Sequence, residues 1–326
     1  MKIIIYFLTL LFLVQCNSKE NSTLSVKRKL SHLSDSSFVT DVRSIDFYKG
    51  HYFISDNKRG QILELDSALE IKSTFGSLGS KDGEFKGLTR FSFCNDTIFA
   101  INHGKKKIEC FTFDYPKSVK TIAIPEDMAG TRLDFRFFVT DKRIFLSTPE
   151  TGKTISSFDR SGILREQVGD VTEYASHDPF DTAIRNIKWL FSTGNRMISV
   201  SDVSPEIQAL DFSGQVIYKH KINENQSIDE RTKFISKQPV QEHVTYSYFR
   251  DVYLSNDKLY LLCITGKEKG ALNANTVLIF DLIDDKPPVF RNEIQLPGRW
   301  YASICVNDKH ILAFESTKNE LQLIKL

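Results

Sequence analysis

Six tight turns recur along the chain, each a pair of turn-forming residues with an apolar run on either side: Lys49-Gly50, Asn95-Asp96, Asp141-Lys142, Gly194-Asn195, Asn256-Asp257 and Asn307-Asp308. Two residues between two extended runs close an antiparallel hairpin. A second turn recurs later in the units, opened by an apolar residue and an aspartate: Leu65-Asp66, Phe113-Asp114, Phe158-Asp159, Leu210-Asp211 and Phe280-Asp281. Aspartate at that position accepts hydrogen bonds from the backbone ahead of it, and glycine supplies positive φ, as in Arg160-Ser161-Gly162 and Phe212-Ser213-Gly214. The runs between turns are short and rich in Ile, Val, Phe, Tyr and Leu, which is the pattern of strands. Long helical periodicity is scarce. A chain punctuated this way is held to one small antiparallel sheet, made six times over.

The first unit reads as four strands over 44–48, 51–55, 61–65 and 71–75. The others begin near Arg90, Arg136, Lys188, Arg250 and Tyr301. Four-stranded units at spacings of roughly 40–60 residues predict an all-β fold, a six-bladed β-propeller with antiparallel blades. The sixth unit lacks a fourth strand before the chain stops at Leu326. The alternating stretch 23–30 is expected to supply it, so that an N-terminal strand completes the last blade and no edge is left open.

The first sixteen residues have a different character. A single Lys2 precedes twelve apolar-rich residues, 3–14, followed by Gln15-Cys16. A spanning helix needs about 20 apolar residues, so the run reads as the hydrophobic part of an export signal. Leu13-Val14-Gln15-Cys16 resembles a bacterial lipobox, in which the cysteine is lipidated after cleavage. Residues 17–22 are polar and read as a tether. The organisation is therefore a lipoprotein signal peptide (1–16), a tether (17–22) and a propeller domain (23–326). The expected location is the cell envelope, with the membrane met through lipid on Cys16.

The segment Phe75-Gly76-Ser77-Leu78-Gly79-Ser80-Lys81-Asp82-Gly83-Glu84-Phe85 resembles the blade linker of NHL-repeat propellers. Together with the lipobox, the chain is similar to TolB-like six-bladed propeller lipoproteins of the Bacteroidota. That resemblance implies fold and address rather than an activity.

Lys plus Arg is 43 and Asp plus Glu is 41, a formal charge of +2. So even a balance argues against a nucleic-acid binder. Cys94, Cys110, Cys263 and Cys305 have no metal-binding spacing and read as buried thiols, although an exported chain can form disulfides. No catalytic motif occurs, the seven histidines lack metal spacing, and no cofactor is implied. His103 and His177 fall on loops.

The long connections, 76–89, 169–186, 223–248 and 265–275, all belong to one face of a propeller, with a helical turn expected near 229–234. That face is the expected binding surface. Arg43, Arg90, Arg136, Lys188 and Arg250, with Tyr301 in the sixth unit, lie five to seven residues before the first turns. They are candidates for a ligand-binding ring at the channel mouth. An anionic ligand, acids such as Asp46, Asp134 and Asp251, or water would neutralise it. A channel-bound Ca²⁺ held by Asp46, Asp251 and Asn186 is the alternative that neighbouring Arg and Lys oppose. The expected function is a non-catalytic binding module for a small anionic or glycan ligand or an envelope protein; the alternative is a channel-centred enzyme, a lactonase-like hydrolase or lyase.

Overall fold

The computed structural model describes residues 24–125, 133–174, 178–223, 225–239, 241–266 and 271–326, with the side chains of 115–119 left aside. Cys16, the tether and His177 lie outside the described residues. Six four-stranded antiparallel sheets surround one axis. From the axis outward, blade one holds Val42–Tyr48, His51–Asp56, Gln61–Leu65 and Ile71–Phe75. The inner strands of the next five blades are Leu88–Cys94, Phe138–Val139, Lys188–Thr193, Phe249–Ser255 and Tyr301–Val306.

The turn chemistry read from sequence is what the backbone does at three of the five second turns, whereas Asp281 pairs with Arg291 at 3.1 Å. Lys49, Asn95 and Asn256 adopt φ of 48°, 51° and 48° at the first turns. At the second turns Oδ1 of Asp66, Asp159 and Asp211 each accepts two backbone N–H groups, from residues two and four further on. The third residue after the aspartate has positive φ in all three turns: Leu69, Gly162 and Gly214. Glycine frees that position in two of the blades; in blade one the buried Leu69 packs into the core and is held there.

In blade six, Val26–Leu30 lies antiparallel to Glu320–Lys325, with Leu30 opposite Leu321 and Arg28 opposite Leu323. First and last segments of the described chain thus share one sheet, and Arg28 also reaches the Ala68 carbonyl of blade one. Blades pack face to face through apolar side chains; between blades one and two these are Phe53, Phe75, Phe85, Phe91 and Phe111, all nearly or wholly buried. Glycine is required in the connection between these blades, because a Cβ on Gly76 would lie 2.4 Å from the Phe85 ring.

Among the described residues, two α-helices lie outside the blades. The first, α1 (Pro179–Asn186), is capped by Asp178 and starts on a proline; the second, α2 (Gln226–Ile235), is capped by Asn225 and covers the expected helical turn. The connection expected over 265–275 is shorter than its sequence suggested, because strands Lys258–Gly266 and Leu272–Asp281 extend far into it. The four cysteines among the described residues are free, and Cys110, Cys263 and Cys305 are buried.

Removing residues 1–30 exposes the edge of Glu320–Lys325 and the apolar side chains it packs with. The melting temperature followed by far-ultraviolet circular dichroism is expected to fall by about 5 °C or more; an unchanged transition would contradict the role given to this strand.

Candidate functional site

Strand side chains alternate between faces, so a shift of one residue changes what a side chain meets. Counted back from the first turn residue, the fifth position is Ser44, Arg90, Arg136, Trp189, Asp251 and Ala302 in the six blades, and the sixth is Arg43, Thr89, Phe135, Lys188, Arg250 and Tyr301. The expected ring mixed the two positions. Only Arg90 and Arg136 meet at the axis, and what they meet is Asp251.

Asp251 is fully buried and accepts six hydrogen bonds: from Arg90 Nη1 (3.2 Å), Arg136 Nε (3.0 Å) and Nη2 (2.8 Å), Ser303 Oγ (2.6 Å), and the backbone N–H groups of Val252 and Ile304 (3.0 Å each). Arg136 Nη2 also donates to the carbonyls of Ile45 (3.1 Å) and Ile304 (2.9 Å). The Arg90 guanidinium sits 5.1 Å over the Trp189 ring. All six blades therefore contribute to one knot of buried charge. Burial opposes the Asp251 carboxylate, and the two arginines more than offset it, so its pKa is lowered. Burial pulls Arg90 down to about 10 despite Asp251, while the carboxylates outweigh burial at Arg136 and raise it.

The other members of the expected ring are elsewhere. Arg43 is half exposed and pairs with Asp41 at 2.8 Å. Lys188 lines a separate polar cleft of about 400 Å³ between blades three and four, with Glu206 and Lys219, and burial lowers its amine. Arg250 has a buried Nε with no partner among the described residues. Tyr301 is wholly buried in blade six, its hydroxyl donating to Gln322 (2.7 Å) and accepting from the Gly298 N–H. Asn186 is occupied by Thr172 and Thr182, and His103 is exposed on its loop.

Above the knot lies an open cup of about 410 Å³. Its wall includes Tyr48, Phe93, Val139, Ser192 and Leu254, each at the end of an inner strand just before the first turn. The cup thus opens on the face of the tight turns, opposite the face of the long connections. Its floor is Asp46, Arg136 and Tyr253. Asp46 Oδ1 accepts from the Tyr253 hydroxyl (2.8 Å) and the Phe47 N–H (2.8 Å). Its Oδ2 stands 4.0 Å from Arg136 Nη1, and neither of these two atoms makes a hydrogen bond among the described residues. Burial raises the Asp46 carboxyl above its usual range, against the pull of Arg136. No group of three or more His, Cys, Asp or Glu able to hold a metal ion occurs among the described residues.

The long connections have their own fastening. His243, at a φ of 60°, pairs through Nε2 with Asp178, and its N–H donates to Asp181 (2.6 Å). The hydrogen bond to Asp178 raises the His243 pKa.

No family model and no curated protein matches the sequence. Solved structures do. A member of the DUF4221 family from Bacteroides vulgatus superposes with a TM-score of 0.58 at 10% identity, covering 93% of this chain and 97% of that one. An exported protein of Bacteroides fragilis gives 0.57 at 14% identity (90% and 84%). Virginiamycin B lyase from Staphylococcus aureus gives 0.53 at 12% identity (92% and 98%). At these identities the likeness is one of fold.

Asp251→Ala removes the carboxylate that holds both buried guanidinium groups and leaves the cluster one negative charge short, and urea denaturation is expected to show a loss of about 3–5 kcal/mol. Asp251 has a lowered pKa, so its contribution is present above the unfolded carboxyl value near about 4 and is lost as pH falls below it. The acid limb of stability should therefore flatten in Asp251→Asn; an unchanged limb would contradict the knot. His243 has the opposite sign. Its contribution is full below the unfolded histidine value of about 6.5 and fades as pH rises through the raised folded value. Amide exchange over 241–248, corrected for intrinsic rates, should speed up between about pH 6 and pH 8.5, and His243→Ala should remove that dependence.

Proposed function

We propose that this protein is a lipid-anchored, non-catalytic binding module of the cell envelope, and that its ligand sits in the axial cup on the tight-turn face. One observation carries the reading. The strongest charges on the axis are paired with one another beneath the cup, while on its floor one carboxylate oxygen and one guanidinium nitrogen face each other at 4.0 Å with no hydrogen bond among the described residues. An aromatic, partly enclosed cavity with few convergent polar atoms is built to hold a ligand in one orientation. The side chain of Asp46 is 23% exposed and that of Arg136 only 6%, so the accessible charge on the floor is negative. That sign disfavours the anionic ligand suggested by the basic residues alone.

The anchor rests on the sequence before residue 17, and the exported protein from Bacteroides fragilis supports an envelope address. Export also suits a chain whose cysteines need no partner: burial pushes the Cys110 thiol up to about 12, which protects it from oxidation.

The competing reading is an enzyme centred on the channel. It is favoured by the likeness to virginiamycin B lyase, whose solved forms include a catalytically inactive histidine-to-alanine variant. Among the described residues, no histidine lines the cup of this protein.

Ser192 borders the cup and is only partly buried, so Ser192→Trp should fill it without disturbing the core. Native envelope extract passed over the immobilised full chain should yield a small-molecule ligand, identified by mass spectrometry, that the Trp variant fails to retain. Equal retention by both would place binding elsewhere. Cys16→Ser should abolish labelling by radioactive palmitate and release the protein from the membrane fraction; persistent labelling would remove the anchor from this account.

A further inference from the structure

The floor of the cup specifies the chemistry of what it binds. Arg136 Nη1 can only donate a hydrogen bond, and Asp46 Oδ2 can only accept one when the carboxyl is ionised. They stand 4.0 Å apart, with no hydrogen bond of their own to a described residue. An oxygen placed at an ordinary hydrogen-bond length of about 2.8 Å from both would see them at an angle of about 90°. A hydroxyl meets that demand, because it accepts from the guanidinium and donates to the carboxylate at once. An ammonium can only donate, and it would face Arg136 across the same gap. A carboxylate or phosphate can only accept, and it would face Asp46.

The charge balance points the same way. Arg90 and Arg136 are matched by Asp251 and Asp46, so the buried cluster is already neutral. A charged ligand would leave a net charge on the largely buried cluster, whereas a neutral one would not.

The wall adds two further polar groups. Ser92 and Ser192 border the cup, and their hydroxyls make no hydrogen bond among the described residues. Around them stand the rings of Tyr48, Phe91, Phe93, Phe138 and Phe191. Hydroxyls that rotate freely, set among aromatic rings, suit a ligand that has both C–H faces and several O–H groups.

Resting on the reading of the cup as a binding site, we propose that it takes a neutral, polyhydroxylated ring, one sugar unit of a glycan. One ligand hydroxyl bridges Arg136 Nη1 and Asp46 Oδ2, Ser92 and Ser192 reach its neighbours, and a ring face lies on the aromatic wall. Recognition of this kind depends weakly on salt, since no net charge is exchanged.

The test is isothermal titration of the full chain with methyl glucosides, N-acetylglucosamine and lactose, beside choline as a cation and citrate as an anion. At least one sugar is expected to bind, with an affinity that changes little between low and high salt. Asp46→Leu removes the acceptor and should weaken it by about tenfold or more, the loss of one buried hydrogen bond. Asp46→Asn keeps an acceptor oxygen, and Ser92→Ala removes a peripheral hydroxyl, so each should weaken it less. Thermal unfolding of each variant verifies that the fold is kept. Binding of choline alone, lost in Asp46→Asn and screened by salt, would overturn the sugar assignment and leave the cup as a binding site. Binding of citrate alone, strengthened in Asp46→Asn, would do the same. A sugar that binds Ser192→Trp as well as the native chain would overturn both the assignment and the cup. Absence of any heat with every probe up to about 20 mM would overturn the assignment for this class.

Discussion

Everything on the axis depends on the carboxylate of Asp251. A propeller brings six inner strands together at one line, and their side chains cannot all be apolar without filling the channel or leaving it void. Here two arginines from adjacent blades converge from one side, and a single carboxylate from blade five meets both. Backbone N–H groups and Ser303 saturate its remaining lone pairs, so the cost of burying charge is met by geometry as well as by sign. The knot does not depend on which loops a blade carries. It touches blades two, three, five and six through Asp251, blade one through the Ile45 carbonyl, and blade four through Trp189.

A filled axis gives the two faces different work. On the long-connection side, the face expected to bind, polar side chains are tied into local structure: Asn186 to Thr172 and Thr182, Arg231 to the Ser247 carbonyl, His243 to Asp178. On the tight-turn side the strand ends stop short of one another. Their aromatic side chains stand around a space rather than filling it, and the Tyr48 and Phe93 rings stack at 4.4 Å as part of that wall. The face with the shorter connections is thus the one that carries the cup. Loop length indicated where the chain spends residues, and those residues are spent on fastening.

Much of this was legible in the chain. The six first turns gave the number of blades, because two residues between extended runs have few conformations available. The aspartates gave the second turns, and the structure shows the same pair of hydrogen bonds at Asp66, Asp159 and Asp211. The site was partly legible. Arg90 and Arg136 stood in the expected ring, and Asp46 and Asp251 stood among the acids expected to neutralise it. What the window of positions lost was parity. Arg43, Lys188, Arg250 and Tyr301 are one residue further from the turn, and in a strand that is the other face. A fixed count of five residues back from the turn aligns Arg90 and Arg136 with Asp251 in the sequence itself. The cup was not legible, because it arises from where six strand ends stop relative to one another, and no local pattern encodes that distance. Nor was α1, whose eight residues follow from a single cap and a proline.

The account stands most directly on whether the Arg136 guanidinium is locked beneath an open cup. Solvent exchange of arginine Nε–H protons, followed by nuclear magnetic resonance on the full chain at neutral pH, measures this. Arg136 and Arg90 should give sharp, slowly exchanging signals, while Arg43 exchanges fast, and a ligand added to the cup should move the Arg136 signal and spare that of Arg90. Exchange of Arg136 as fast as that of Arg43 would mean that the axis is open to water, and the account would fail at its centre.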